Sequence, residues 1–229
     1  MPKFDPSLIP SEPDLSFEER LWNAGLTLVA GIDEAGRGAL AGPVAAAAVI
    51  LPVSGGMAER LHGVRDSKQL IAREREICRE LILKFATCWG VGLASSQEID
   101  QLGILPATRL AAHRAVEAMG AEPQHLLLDY LFLPDVSIPQ TALVKGDCRS
   151  LSIAAASILA KTSRDEIMRE LDENYAGYGF STHKGYGTRM HREALVRLGA
   201  CPEHRLSFDL YGELKPEDES ISVPAWIKI

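Results

Sequence analysis

Two short apolar runs, Leu26 to Asp33 and Val44 to Leu51, stand on either side of a glycine-rich corner, and this arrangement limits the fold more than any other stretch of the chain. Runs of this length that are rich in valine and isoleucine favour strands, and strands so close in sequence can pair as a hairpin. The first run ends in Asp33-Glu34, and the corner carries Gly36, Gly38 and Gly42 before Pro43. That spacing is not GxGxxG, and Pro43 leads into a strand where the dinucleotide-binding fingerprint needs a helix, so that fingerprint is excluded.

The rest of the pattern alternates. Ile71 to Phe85 carries Ile77, Cys78, Leu81, Ile82 and Phe85 about one helical turn apart and is expected to form an amphipathic helix. Cys88 to Ala94 is expected to be a strand, Leu105 to Met119 a helix ended by Gly120, and His125 to Asp129 a strand buried on both faces through Leu126-Leu127-Leu128. An alanine-rich helix follows from Ser150 to about Leu171, and another from Thr188 to Leu198 stops at Gly199. Strands first and then alternation with helices give an α/β class: a mixed sheet flanked by helices, with a helical C-terminal portion. A chain of 229 residues can place this in one domain, expected over residues 1–214, leaving an acidic, proline-containing tail at 215–229.

Charge and cysteine usage narrow the function. With a net charge of −7 the chain is no general nucleic-acid coat, so any nucleic-acid contact has to be local. Four cysteines without a CxxC pair suggest neither a zinc site nor a disulfide framework. No leader-like segment opens the sequence, and the longest apolar run, Ala41 to Val53, contains two prolines and is too short to span a bilayer; a cytoplasmic protein with no membrane contact is expected.

Asp33 and Glu34 close an apolar strand, where carboxylates are natural ligands for hard cations; alternatively they only begin a turn. Adjacent strand residues face opposite ways, so both reach one site only if the chain leaves the strand here, an exit that Gly36 and Gly38 allow. Asp129 ends a buried run, where an unpaired carboxylate would cost several kcal/mol and calls for a metal or a partner. Asp147 follows the apolar stretch Thr141 to Val144 and precedes the alanine-rich helix, as a ligand or as a helix-initiating acid. Lys68, Lys145, Arg149, Lys161, Lys184 and Arg205 are candidates for phosphate contacts, although Lys161 and Arg164 can instead pair with Asp165 or Glu166 along their helix. His183, His191 and His204 lack zincin spacing and leave open a local acid/base or phosphate role.

Taken together these segments resemble ribonuclease HII: GIDEAGRGALAGPV, Asp66-Ser67-Lys68, the strand ending at Asp129, KGDCRSLSIAAASILAKTSRDE, HKGYGT at His183 to Thr188, and His204-Arg205-Leu-Ser-Phe208. The resemblance runs from about Val29 to Phe208. It implies an RNase H-like fold in which Asp33, Glu34, Asp129 and Asp147 are the four catalytic and metal-binding acids, holding Mg²⁺ or Mn²⁺ as two ions during catalysis. It further implies that Gly36, Arg37 and Gly38 contact the ribonucleotide backbone and 2′-hydroxyl, with Tyr186 beside the same sugar. The implied partners are RNA–DNA hybrids and DNA duplexes containing ribonucleotides, and the chain is expected to act as a monomer. Cleavage is expected 5′ to an embedded ribonucleotide, leaving a 3′-hydroxyl and a 5′-phosphate. One departure follows the third acid, where Tyr130-Leu-Phe replaces an expected small residue, and the short N-terminus lacks room for the substrate-binding domain of ribonuclease HIII. Two other readings stay open on the residues alone: a metal-dependent hydrolase of small phosphorylated substrates, and a hybrid-binding module without catalysis.

Overall fold

The computed structural model describes Asp5 and residues 9–213; the expected tail at 215–229 lies outside the described residues. Five strands form one mixed sheet in the order β3-β2-β1-β4-β5. β1 (Val29–Ala35) and β2 (Val44–Ile50) are the expected antiparallel hairpin, with Ala30 opposite Ile50 and Ala35 opposite Ala45. β3 (Cys88–Ala94) extends the sheet antiparallel to β2, while β4 (His125–Asp129) and β5 (Gln140–Leu143) add parallel strands on the other side of β1. The apolar stretch before Asp147 is thus an edge strand.

Around the sheet, α1 (Ser16–Asn23), α2 (Met57–Arg60), α3 (Ala72–Phe85), α4 (Ser96–Leu102) and α5 (Ile104–Ala118) precede the long α6 (Leu151–Asn174), the short α7 (Phe180–His183) and α8 (Arg189–Leu198). α3 follows the expected span, burying Cys78 and Ile82, but Ile77 is turned to solvent. α4 begins with a capping box, in which the Ser95 hydroxyl accepts from Glu98 N–H at 3.1 Å and the Glu98 carboxylate accepts from Ser95 N–H at 2.8 Å. No described helix is long and apolar enough to cross a membrane.

The two helices that cover the sheet lie very close to it because the strands are built from small residues. Along β2, Ala46, Ala48 and Ile50 enter the cluster that holds Ala107, Ala111 and Ala115 of α5, while Ala47 and Val49 face Ala155, Ile158 and Leu159 of α6. Every second residue therefore serves the same helix, as pleating requires. Glycine allows the closest contacts: a Cβ on Gly92 would stand 2.2 Å from the Ala111 carbonyl oxygen of α5, and one on Gly31 would stand 2.2 Å from the backbone of Ser152 at the start of α6. That start is fixed a second time by Glu18 of α1, a buried carboxylate that accepts from Ser150 Oγ at 2.6 Å and from Ser152 N–H at 3.0 Å.

Gly31→Ala is expected to cost more than about 3 kcal/mol, since backbone rather than a flexible side chain must give way. Gly38→Ala, whose Cβ would meet open space, should stay within about 0.5 kcal/mol of the parent. Urea unfolding midpoints of the two variants check this; equal stabilities would show that α6 can lift from β1 at little cost.

Candidate active site

Parallel pairing of β1 with β4 brings the first two acids together. Ile32 lies opposite Leu128, so the next residues along, Asp33 and Asp129, are neighbours at the strand ends. Both share the pleat parity of Gly31 and Leu127, which face α6, and Asp147 stands in the single turn (Gly146–Cys148) that leads into α6. Carboxylate oxygens of Asp33, Asp129 and Asp147 all lie within 4.8 Å of one another.

Glu34 arrives differently. The chain does not leave the strand at Asp33-Glu34, as the alternation of side chains had suggested it must; β1 continues to Ala35 and turns only at Gly36, where φ is +92°. Pairing with β4 has already ended at Ile32, so Glu34 stands on a stretch bonded to β2 alone. Its side chain lines the same open cleft, of about 450 Å³, as Asp129, Asp147, Arg37 and Lys68. One oxygen accepts from Arg37 Nη1 at 2.9 Å; the other, Oε2, is buried without a hydrogen-bond partner among the described residues.

So much negative charge in so little space shifts the acids. Burial, then repulsion from Glu34, Asp129 and Asp147, pushes Asp33 well above the ordinary aspartate range. Burial and Asp129 raise Asp147 to about 6, and burial raises Asp129 against the opposing hydrogen bond donated by Gly146 N–H at 2.7 Å. Lys68, 3.9 Å from Asp147, shows the reciprocal effect: partial burial disfavours its charge, but Asp33, Asp66, Asp147 and Asp129 outweigh that and raise it. Three clustered carboxylates and an orphaned buried oxygen are a donor set that suits a hard divalent cation, which would relieve both the repulsion and the missing partner.

The glycine corner is held from behind by two arginines. Arg164 of α6 donates to the carbonyls of Pro43, Ala41 and Lys184 at 2.9, 3.0 and 2.9 Å. Arg205 donates to Gly42 O from Nε and Nη2 at 3.0 and 2.9 Å, and to Arg37 O at 2.9 Å. Both are fully buried. Arg205 is therefore no phosphate contact, because its donors are spent on the corner's carbonyls, and Arg164 pairs with neither Asp165 nor Glu166. Gly36 is required here, since a Cβ would stand 2.0 Å from Arg164 Nε. Lys161 does take the along-helix alternative, at 2.6 Å from Asp165.

Tyr186 reaches the corner through an antiparallel bridge to Ala39, with Leu40 N–H donating to Gly185 O at 2.8 Å. Its ring lies 5.5 Å from the Arg164 guanidinium, and the side chain is 38% exposed. Behind it runs a buried histidine relay. Cys201 N–H donates to His204 Nδ1 at 2.9 Å, which leaves the proton on Nε2 to donate to His191 Nε2 at 3.1 Å; His191 Nδ1–H then donates to Tyr186 O at 3.0 Å. The relay of His191 and His204 supports the backbone of Tyr186, and His183 accepts from Gly185 N–H at 3.2 Å, so all three buried rings are engaged in holding this segment in place of the acid/base or phosphate role left open for them. Asp66, which faces the cleft and accepts from Lys68 N–H at 3.0 Å, is a site residue that sequence reasoning left unassigned although its motif was in view.

A family model described as Ribonuclease HII matches residues 30–211. The chain belongs to the ribonuclease HII family. It is 52% identical over 221 residues to a ribonuclease HII of Anaeromyxobacter sp. (strain Fw109-5), covering 92% of this chain and 69% of the relative. To a ribonuclease HII of Synechococcus sp. (strain JA-3-3Ab) it is 55% identical over 197 residues, 86% of this chain and 88% of the relative. The fold matches the crystal structure of ribonuclease H2 from Pyrococcus horikoshii OT3 with a TM-score of 0.66 at 26% identity, covering 81% of this chain and 96% of that one. Membership makes the chain a metal-dependent ribonuclease H, an endonuclease acting on RNA in RNA–DNA hybrids.

Burial holds His191 and His204 near about 4, below the ordinary histidine value of 6.5. Between these limits the unfolded chain takes up protons that the folded relay refuses, so the relay's contribution to stability falls as pH drops from about 6.5 toward 4. The buried carboxylates, raised in the fold, act with the opposite sign. A site-resolved NMR titration separates the two: both histidine rings should stay neutral through pH 6 and titrate near 4, and ordinary titration of either near 6.5 would show that the relay does not hold.

Proposed function

We propose that this ribonuclease cuts the RNA strand of RNA–DNA hybrids and also cuts 5′ of single ribonucleotides embedded in duplex DNA, leaving a 3′-hydroxyl and a 5′-phosphate. The observation that carries the proposal is the convergence of Asp33, Asp129 and Asp147 within 4.8 Å beside the partnerless oxygen of Glu34, in a cleft rimmed by Lys68 and Arg37. These four acids are assigned as the ligands of two Mg²⁺ or Mn²⁺ ions, which when bound supply Lewis-acid stabilisation to the attacking and leaving oxygens of the phosphodiester.

The remaining residues orient the substrate. Lys68 and Arg37 stand where a scissile phosphate entering the cleft needs compensating charge, Arg37 being aimed by its bond to Glu34. Gly36, Arg37 and Gly38 bring backbone close to the ribonucleotide, because the arginine pair behind them fixes the turn and glycine leaves no Cβ in the way. Tyr186 places its ring against the same sugar and its hydroxyl toward the 2′-hydroxyl, the group that distinguishes RNA from DNA. In this reading residues 1–214 are one catalytic domain acting as a monomer in the cytoplasm, with 215–229 as an appended tail.

Cleavage of a DNA duplex carrying one ribonucleotide, with and without Mg²⁺, tests the activity directly. Asp129→Asn and Asp147→Asn should each lose most turnover while keeping the fold and much of the duplex affinity; near-native cleavage by either purified variant removes that residue from the assigned set. For Tyr186, replacement by Ala should sharply lower cleavage at the single ribonucleotide, and replacement by Phe should cost only the hydrogen-bond share, about 1 kcal/mol. A continuous hybrid should suffer less from either change, since neighbouring ribonucleotides offer other registers. Equal losses on both substrates would sink the sugar-reading role.

A further inference from the structure

Tyr130 directly follows Asp129, and three features set it apart. Its φ is +47°, in the left-handed region that a non-glycine residue occupies only at a steric cost. Its side chain is 74% exposed, so packing in the protein does not offset that cost. And it lines the cleft that holds Glu34, Asp129 and Asp147. An outlier of this kind beside a reaction centre points to a role outside the protein's own packing.

The residue is held firmly in that position. Tyr130 N–H donates to Leu143 O at 2.9 Å, continuing the β4–β5 ladder one step past Asp129. Beyond it the loop is tied down by Arg109 Nε donating to Phe132 O at 3.0 Å and by Leu133 N–H donating to Gln140 Oε1 at 2.9 Å. Lys145, also left-handed at φ +54°, reaches the same cleft from the far end of β5. The rim on this side of the acids is therefore an exposed aromatic ring next to a cation, both on fixed backbone. Tyr186 belongs to a different element, bridged to Ala39, and does not line this cleft.

We propose that Tyr130 is a substrate-contacting, specificity-determining residue, whose ring packs against a sugar of the cleaved strand next to the scissile phosphate, as a second aromatic contact separate from Tyr186. Paired bases in a duplex turn edges rather than faces outward, so an aromatic at the groove wall meets the sugar. Lys145 beside it neutralises the adjoining phosphate. The left-handed backbone aims the ring into the cleft, a direction an ordinary strand residue following Asp129 would not give.

This inference rests on the proposed nuclease reading, and its test keeps the two apart. Steady-state cleavage of the single-ribonucleotide duplex in Mg²⁺ is measured for the parent, Tyr130→Phe, Tyr130→Ala and Tyr130→Gly, with thermal melts of each. If the parent fails to cleave this duplex, the proposed cutting at embedded ribonucleotides itself fails. Given an active parent, Phe should keep KM within about twofold, while Ala and Gly should raise it about three- to tenfold with kcat little changed, as expected for loss of ring packing. Gly should melt above both Ala and the parent, because it removes the left-handed strain. An unchanged KM in Ala and Gly, a loss confined to kcat that marks a displaced Asp129, or a Phe variant as impaired as Ala would each overturn the assignment; so would a Gly variant melting no higher than Ala.

Discussion

Two buried guanidinium groups that no described carboxylate ion-pairs, Arg164 and Arg205, hold this site together. Burying a charge is costly unless its hydrogen bonds are met, and here they are met by backbone carbonyls of residues 37 to 43 and of Lys184. Burial, together with repulsion from Arg164, lowers Arg205 only to about 9, so it stays charged at neutral pH. The cations sit behind the corner and the acids in front of it. The turn between β1 and β2 is thereby fixed as a rigid shelf rather than a mobile loop, and its conformation depends on the C-terminal helical portion, which supplies both arginines.

The acids need equally firm support, because they repel one another. Asp33 cannot retreat: its strand is locked between β2 and β4, and Gly31 two residues earlier lies against the α6 backbone. Asp147 is fixed by the turn into α6, and α6 by its glycine contact with β1 and by Glu18. The small-residue sheet is thus what allows like charges to be held close, since larger side chains would move α6, and Asp147 with it, away from Asp33. Local rigidity is bought with side-chain volume.

Much of this was readable in the chain. Periodicity gave β1, β2, β3, β4, α3, α5, α6 and α8 close to their observed bounds, since each carries a clear apolar pattern and half of them are followed within two residues by a glycine or proline. α1 and α4 went unread because their support is tertiary or confined to a cap: Glu18 satisfies groups over 130 positions away, and only Ser95 with Glu98 marks α4. β5 hid because a four-residue edge strand has little pattern to show. At the site, Asp33, Glu34 and Asp129 were visible as strand-end residues and Asp147 as an acid ahead of a helix, and the family's motifs joined them, yet the way Glu34 comes beside the others was not legible. Its reach depends on where the pairing of β1 with β4 stops, which no local pattern encodes. Arg164 and Arg205 were misread for the same reason: an arginine in a sequence looks like a surface charge until its carbonyl acceptors, all but Lys184 lying 121 to 168 positions away in the chain, are brought beside it.

The same network explains how an acidic chain can present a nucleic-acid surface. Arg164, Arg205, His191 and His204 are spent inward, on carbonyls and on the relay beneath Tyr186, and contribute shape rather than surface charge. Positive charge facing the cleft comes from few residues, Arg37, Lys68 and Lys145, each within the field of the acids. With the site's own carboxylates outnumbering these cations, the cleft by itself attracts a phosphate only weakly. On the proposed metal assignment, divalent ions would offset that charge at the reacting phosphate alone, while duplex contacts away from it need no metal.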